Sequence, residues 1–256
     1  MIPTGVNLSM ASGAEPYRGD TPSGPESHHL DLLGGFVLRL HGVPVPIGRS
    51  AQRVIAYLAV AARPEQRELV AGSLWPEASD SRALGNLRSV LWQLRRRGVA
   101  VVADDRTWLW LTDVVVDIAT FREVTARIMR SANDLDVTEG EVDLILNGHE
   151  LLPRWSDEWL ETTREHYRQL RVHALEALCT SFASAKRFGS AVQACLTAVE
   201  AEPLRDTSHR ELIRVYLSEG NRADALRQYD AYRSLMLEEL GLGPSPEIAA
   251  LVEHIG

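Results

Sequence analysis

Past residue 28, apolar residues come in short runs, LDLLGG, FVLRLHG and VPVPIG, broken by Gly34-Gly35 and His41-Gly42. Runs this short, closed by turn residues, predict strands. Pro44 and Pro46 mark the last as an edge strand, because proline cannot donate to a ladder. From Arg49 to Ala62 the spacing becomes helical, and Arg63-Pro64 ends it. A second helix is predicted from Glu65 to Leu74, stopped by Trp75-Pro76. The polar stretch Glu77–Ser81 then offers N-cap candidates for a third, Arg82 to Arg97. In that helix Leu84, Leu87, Leu91 and Leu94 share one stripe, the side a core would take. After Gly98 the period drops to two, and Val99–Ala103 and Trp108–Leu111 flank Asp104–Thr107 as a β-hairpin.

From about Asp117 onward the pattern is helical and holds a repeat. Phe182, Ala191, Cys195, Ala198 and Pro203 return 34 residues later as Tyr216, Ala225, Tyr229, Tyr232 and Leu237. Gly220 stands where a helix-pair turn belongs, and Lys186 takes that place in the first copy. This period and spacing are those of tetratricopeptide helix pairs. Such pairs bury their apolar faces only by stacking, so Glu158–Ala185 and Pro246–Ile255 are expected to flank them.

The predicted fold is mainly α with a small β component. A winged helix-turn-helix domain (small N-terminal sheet, three helices, hairpin wing) spans 29–116, and an all-α tetratricopeptide-like domain spans 117–256. Residues 1–28, rich in Gly, Pro and Ser and without periodicity, are expected to be a disordered leader.

The net charge of −8 argues against a nucleic-acid partner until its distribution is considered. Between Leu30 and Asp113 there are 11 arginines against 8 acids, whereas the remainder holds 16 basic and 27 acidic residues. The third helix has five arginines and no acid. Its side away from the leucines carries Arg82, Asn86, Ser89, Gln93 and Arg96, with Trp92 and Arg97 on the margins. Arginine, asparagine and glutamine make bidentate contacts to base edges, and further arginines hold phosphates. The helix is therefore expected to enter the DNA major groove through these residues and Arg88. Arg106 and Thr107 at the hairpin tip are expected to reach an adjacent groove or the backbone. The competing interpretation is a protein-interaction scaffold of tetratricopeptide type whose winged helix does not bind DNA.

Catalysis is not expected: there is no Gly-rich phosphate loop followed by Lys-Ser/Thr, no HExxH, no CxxC and no Gly-x-Ser-x-Gly elbow. No metal or cofactor is expected either. His28-His29 lie in the presumed tail, and His166 and His173, two turns apart, lack a third ligand. No apolar run is long enough for a membrane span, and no secretory signal opens the chain. Cys179 and Cys195 are expected to be reduced core residues, in a cytoplasmic, nucleoid-associated protein.

Four stretches resemble the SARP family (Streptomyces antibiotic regulatory proteins) in its short form. They are Leu69–Trp75, SRALGNLRSVLWQLRR at Ser81–Arg96, LLPRWSDEWLETTREHYRQLRVHALEAL at Leu151–Leu178, and EELGLGPSPEIAALVEHI at Glu238–Ile255. The last is the most specific, since an ELG followed by PSPE closes the family's bacterial transcriptional activation domain. The resemblance implies an activator that binds double-stranded DNA at a direct-repeat operator, as a head-to-tail homodimer. It further implies recruitment of RNA polymerase through its sigma factor, often at secondary-metabolite promoters, without the additional domains of larger members.

Overall fold

The structure, a computed structural model, describes residues 28–130 and 137–253. Strands β1 (His28–Asp31), β2 (Val37–Leu40) and β3 (Val43–Pro44) precede helix α1 (Arg49–Ala61). A two-residue strand, β4 (Glu65–Gln66), leads into α2 (Arg67–Leu74) and α3 (Asp80–Arg96). Strands β5 (Val102–Asp104), β6 (Trp108–Leu111) and β7 (Val114–Val116) follow. The rest is helical: α4 (Asp117–Arg130), α5 (Glu139–Leu146), α6 (Glu158–Ser184), α7 (Phe188–Ala201), α8 (Asp206–Glu219), α9 (Arg222–Leu240) and α10 (Pro246–Val252).

The architecture is that expected, mainly helical with small sheets, and the differences lie at short pairings. The first sheet has order β3-β2-β1-β7, with β3 at the edge where its proline belongs. Its fourth strand, β7, runs parallel to β1 with Leu30 opposite Val116, a pairing the sequence pattern did not predict. The helix expected from Glu65 begins two residues later. Glu65 and Gln66 instead pair with Leu109 and Trp108 of β6, completing a second sheet of order β4-β6-β5. Of the expected leader, residues 1–27 lie outside the described residues. His28, assigned to it, begins β1, and its ring meets that of His41 edge-on at 4.6 Å.

Two turns show why the helices stop where they do. Gly98 adopts φ 72° after α3, and Val99 N–H returns to Leu94 O, closing the helix end as glycine readily does. Gly220 (φ 92°) does the same between α8 and α9, whereas Lys186 takes the left-handed conformation (φ 58°) between α6 and α7 without glycine's freedom. The repeat is thus matched in backbone even where the residue differs. Ala191 and Ala225 are fully buried in equivalent second helices.

One continuous cluster of buried apolar residues runs from Leu30 to Val215, so the sheets and helices α1 to α8 share a core, while α9 and α10 pack on α8 around a smaller one. Asp117, at the start of α4, accepts from the N–H of Leu32 and Leu33 at 2.8 Å each, and from Ile118 N–H at 2.7 Å. Burial pushes its carboxyl up, against the downward pull of those three donors. Leu33 bridges to Leu151, Phe36 stacks on Trp155 and Tyr57 meets Trp159 edge-on. Cys179 and Cys195 are not reduced as expected: they form a disulfide between α6 and α7. Their periodicity gave both as buried. That two buried thiols on neighbouring helices stand 5.6 Å apart at Cα is a fact of packing alone.

Candidate nucleic-acid interface

The third helix starts at Asp80, two residues before its expected start, with Ser79 in extended N-cap geometry. It buries Ala83, Leu87, Val90, Leu91 and Leu94 against α1 and α2. Leu84, expected in this stripe, is only half-buried, because Ala83 and Val90 draw the buried face around the helix. The outward face turns with it. Arg82, Arg88, Ser89, Gln93, Arg96 and Arg97 are exposed, while Asn86 moves to the margin and is half-buried. Trp92, expected at the margin, stands near the middle of this face at 58% exposure. The Arg96 guanidinium lies 5.3 Å from the Trp92 ring centre, near enough for the ring to fix its direction.

Arg82, Arg88 and Arg106 have no ion-pair or hydrogen-bond partner among the described residues. Arg97 donates to Pro46 O at 3.4 Å, and Gln93 to Ser89 Oγ at 3.5 Å. Arg95 behaves differently. It pairs with Asp104 at the root of the hairpin, where Arg67 of α2 also binds at 2.6 Å. Arg67 N–H donates to Thr107 O, and its guanidinium to Asp105 O. The hairpin is therefore tied to the start of α2 and the end of α3, which fixes its tip beside the helix. Sequence spacing counts five arginines but cannot separate the one that holds the wing from those left free.

At the tip, Asp105 Oδ1 accepts from the N–H of Thr107 and Trp108, and these donors hold its carboxyl below the usual range. This closed turn exposes Arg106 and Thr107. Trp108, which the sequence reading did not single out, is also exposed beside them; its place at the start of an alternating strand was the only signal. Among the described residues no cluster of His, Cys, Asp or Glu could hold a metal ion. Nor is any described helix long and apolar enough to cross a membrane.

The sequence profile of the bacterial transcriptional activator domain matches residues 116–255. The transcriptional regulatory protein EmbR of Mycobacterium tuberculosis is 25% identical, over 88% of this chain and 62% of EmbR. The regulatory protein AfsR of Streptomyces coelicolor is 28% identical, over 88% of this chain and 24% of AfsR. The chain thus spans less than two thirds of either relative. The solved structure of M. tuberculosis EmbR in complex with a low-affinity phosphopeptide shares the fold, with a TM-score of 0.69. Its identity is 22%, over 90% of this chain and 65% of that one.

Proposed function

The chain belongs to the bacterial transcriptional activator domain family, whose members are transcriptional regulators of SARP type rather than enzymes, and on that premise we propose that it is a sequence-specific DNA-binding activator. In this reading α3 enters the major groove, with Arg82, Ser89, Trp92, Gln93 and Arg96 facing base edges and Arg88 and Arg97 serving phosphates. Asn86 contributes from the margin, and Arg106 and Thr107 of the wing reach the neighbouring backbone. The observation that carries the reading is the outward face of α3. It is basic and acid-free, and its free arginines lie opposite the helix's buried stripe. Guanidiniums left without protein carboxylates are what a phosphate-lined groove requires.

The helices after Asp117 carry the chain's acidic excess and are repelled by DNA phosphates. They serve instead to contact RNA polymerase and its sigma factor, with two protomers on a direct-repeat operator, at secondary-metabolite promoters. Gel-shift titration with the chain's own upstream DNA tests the first step. Arg82→Ala and Arg96→Ala should each weaken binding by about 1–3 kcal/mol, with relaxed preference at one base position. A loss uniform across sequences, with a shallower salt slope, assigns that arginine to phosphate. If both variants bind like the parent, the chosen face is wrong and the scaffold reading takes its place. Recruitment is tested by transcription in a purified system, where the parent should raise initiation and the α3 variants should not.

A further inference from the structure

The last long helix leaves part of its apolar surface bare. On α9, Leu226, Leu237 and Leu240 are 36%, 63% and 51% exposed, although the same helix buries Ala225 and Tyr232 in a small core with α8 and α10. The three leucines fall on one stripe with Ala223, Asp230 and Arg233, all exposed. Successive members of this stripe are 3, 4, 3, 4 and 3 residues apart, the spacing of a helix-pairing seam. Asp230 and Arg233 in its middle have no ion-pair partner among the described residues, whereas Asp224 and Arg227 one turn earlier pair with each other.

The spacing of the stripe is the same in both directions, and its two charges are opposite in sign and equally far from its centre. A two-fold axis midway between Ala231 and Tyr232 sets Ala223 against Leu240, Leu226 against Leu237, and Asp230 against Arg233. We propose that two copies of this chain pair through α9, antiparallel about that axis, each Asp230 meeting the partner's Arg233 between two layers of leucine. Self-complementarity of this kind is what an isologous contact demands, and an unrelated partner has no reason to require it. The stripe is about 25 Å long at 1.5 Å per residue, so the contact is small and the pair reversible. Protomers side by side on a direct repeat are related by a screw along the duplex, not by a two-fold axis. The α9 pair is therefore a contact of the DNA-free protein, distinct from the operator-bound arrangement proposed above.

Sedimentation equilibrium of the whole chain without DNA tests this independently of any DNA affinity. The parent should dimerise with a dissociation constant on the order of 10–100 μM. Asp230→Arg sets arginine against the partner's Arg233, and Arg233→Asp sets aspartate against the partner's Asp230; each should weaken self-association at least about tenfold. An equimolar mixture of the two single variants should associate, because each then meets its opposite. The double variant D230R/R233D should recover the parent's behaviour. Leu237→Asp should dissociate the pair with no such rescue. All these positions are exposed, so helical content and melting midpoint should stay at the parent's values. A parent that stays monomeric at several hundred μM overturns the proposal. Single variants that self-associate like the parent, or a mixture that fails to associate, overturn it equally.

Discussion

Asp157, ahead of α6, receives two arginines from α1: Arg53 Nε at 2.5 Å and Arg49 Nη2 at 3.2 Å. Trp159 Nε1 adds a third donor at 3.3 Å. The carboxylate is 7% exposed, Arg53 23% and Arg49 48%, and the Arg49 guanidinium lies 3.7 Å over the Trp155 ring. Burial draws Arg49 below its ordinary value while Asp157 pulls it back. Asp157→Ala would leave two like charges side by side with no counter-charge. Removing one partner of a fully buried pair costs about 3–5 kcal/mol, and an exposed pair is worth about 0–1 kcal/mol. With a dry carboxylate and one half-exposed arginine, the expected loss is about 2–3 kcal/mol, or a melting midpoint lower by about 4–12 °C. Most of that loss comes from the stranded cations. Arg53→Ala in the Asp157→Ala background should therefore be less costly than in the parent, by about 1–2 kcal/mol. Differential scanning calorimetry of the four proteins measures both quantities. A midpoint for Asp157→Ala within about 1 °C of the parent, or strict additivity in the cycle, would refute the clamp.

Other expectations follow from single sites. Lys186→Gly relieves a left-handed backbone and should stabilise by about 0.5–1 kcal/mol after the entropic loss of glycine in the unfolded chain, read as a higher melting midpoint. A lower midpoint would show that the turn holds Lys186 for another reason. His209 is buried, donates from Nε2 to Pro203 O at 2.8 Å and so accepts from Gln228 at Nδ1, while burial holds its pKa below 6.5. The unfolded chain then takes up the proton first. Stability should be intact above pH of about 6.5 and fall as pH drops below it, and the fall should be shallower in His209→Gln. Equal slopes in the two proteins between pH 8 and 5 would exclude this residue as the cause. Reducing the Cys179–Cys195 disulfide, which closes a loop of 16 residues, should cost about 3 kcal/mol. Unchanged denaturant midpoints with and without reductant would show that the bond contributes nothing.

What the sequence determined by itself was whatever repeats at short range. The third helix showed its leucine stripe and arginine face, the hairpin showed its alternation around Asp104–Thr107, and the 34-residue echo showed helix pairs. Each follows from residues three, four or two apart, where backbone period alone decides which side chains share a face. The tertiary structure decided what depends on partners far along the chain. Strands β4 and β7 are two and three residues long, too short for any period, and exist because β6 and β1 supply their hydrogen bonds. The pairing of Arg95 with the wing, Trp92's place near the middle of the exposed face, the Cys179–Cys195 bond and the grip of Asp157 on α1 are of the same kind. Local spacing tells which residues leave water or stay in it. Only packing brings a particular carboxylate within reach of a particular guanidinium, because that distance is set by how separate elements stack and not by the backbone between them.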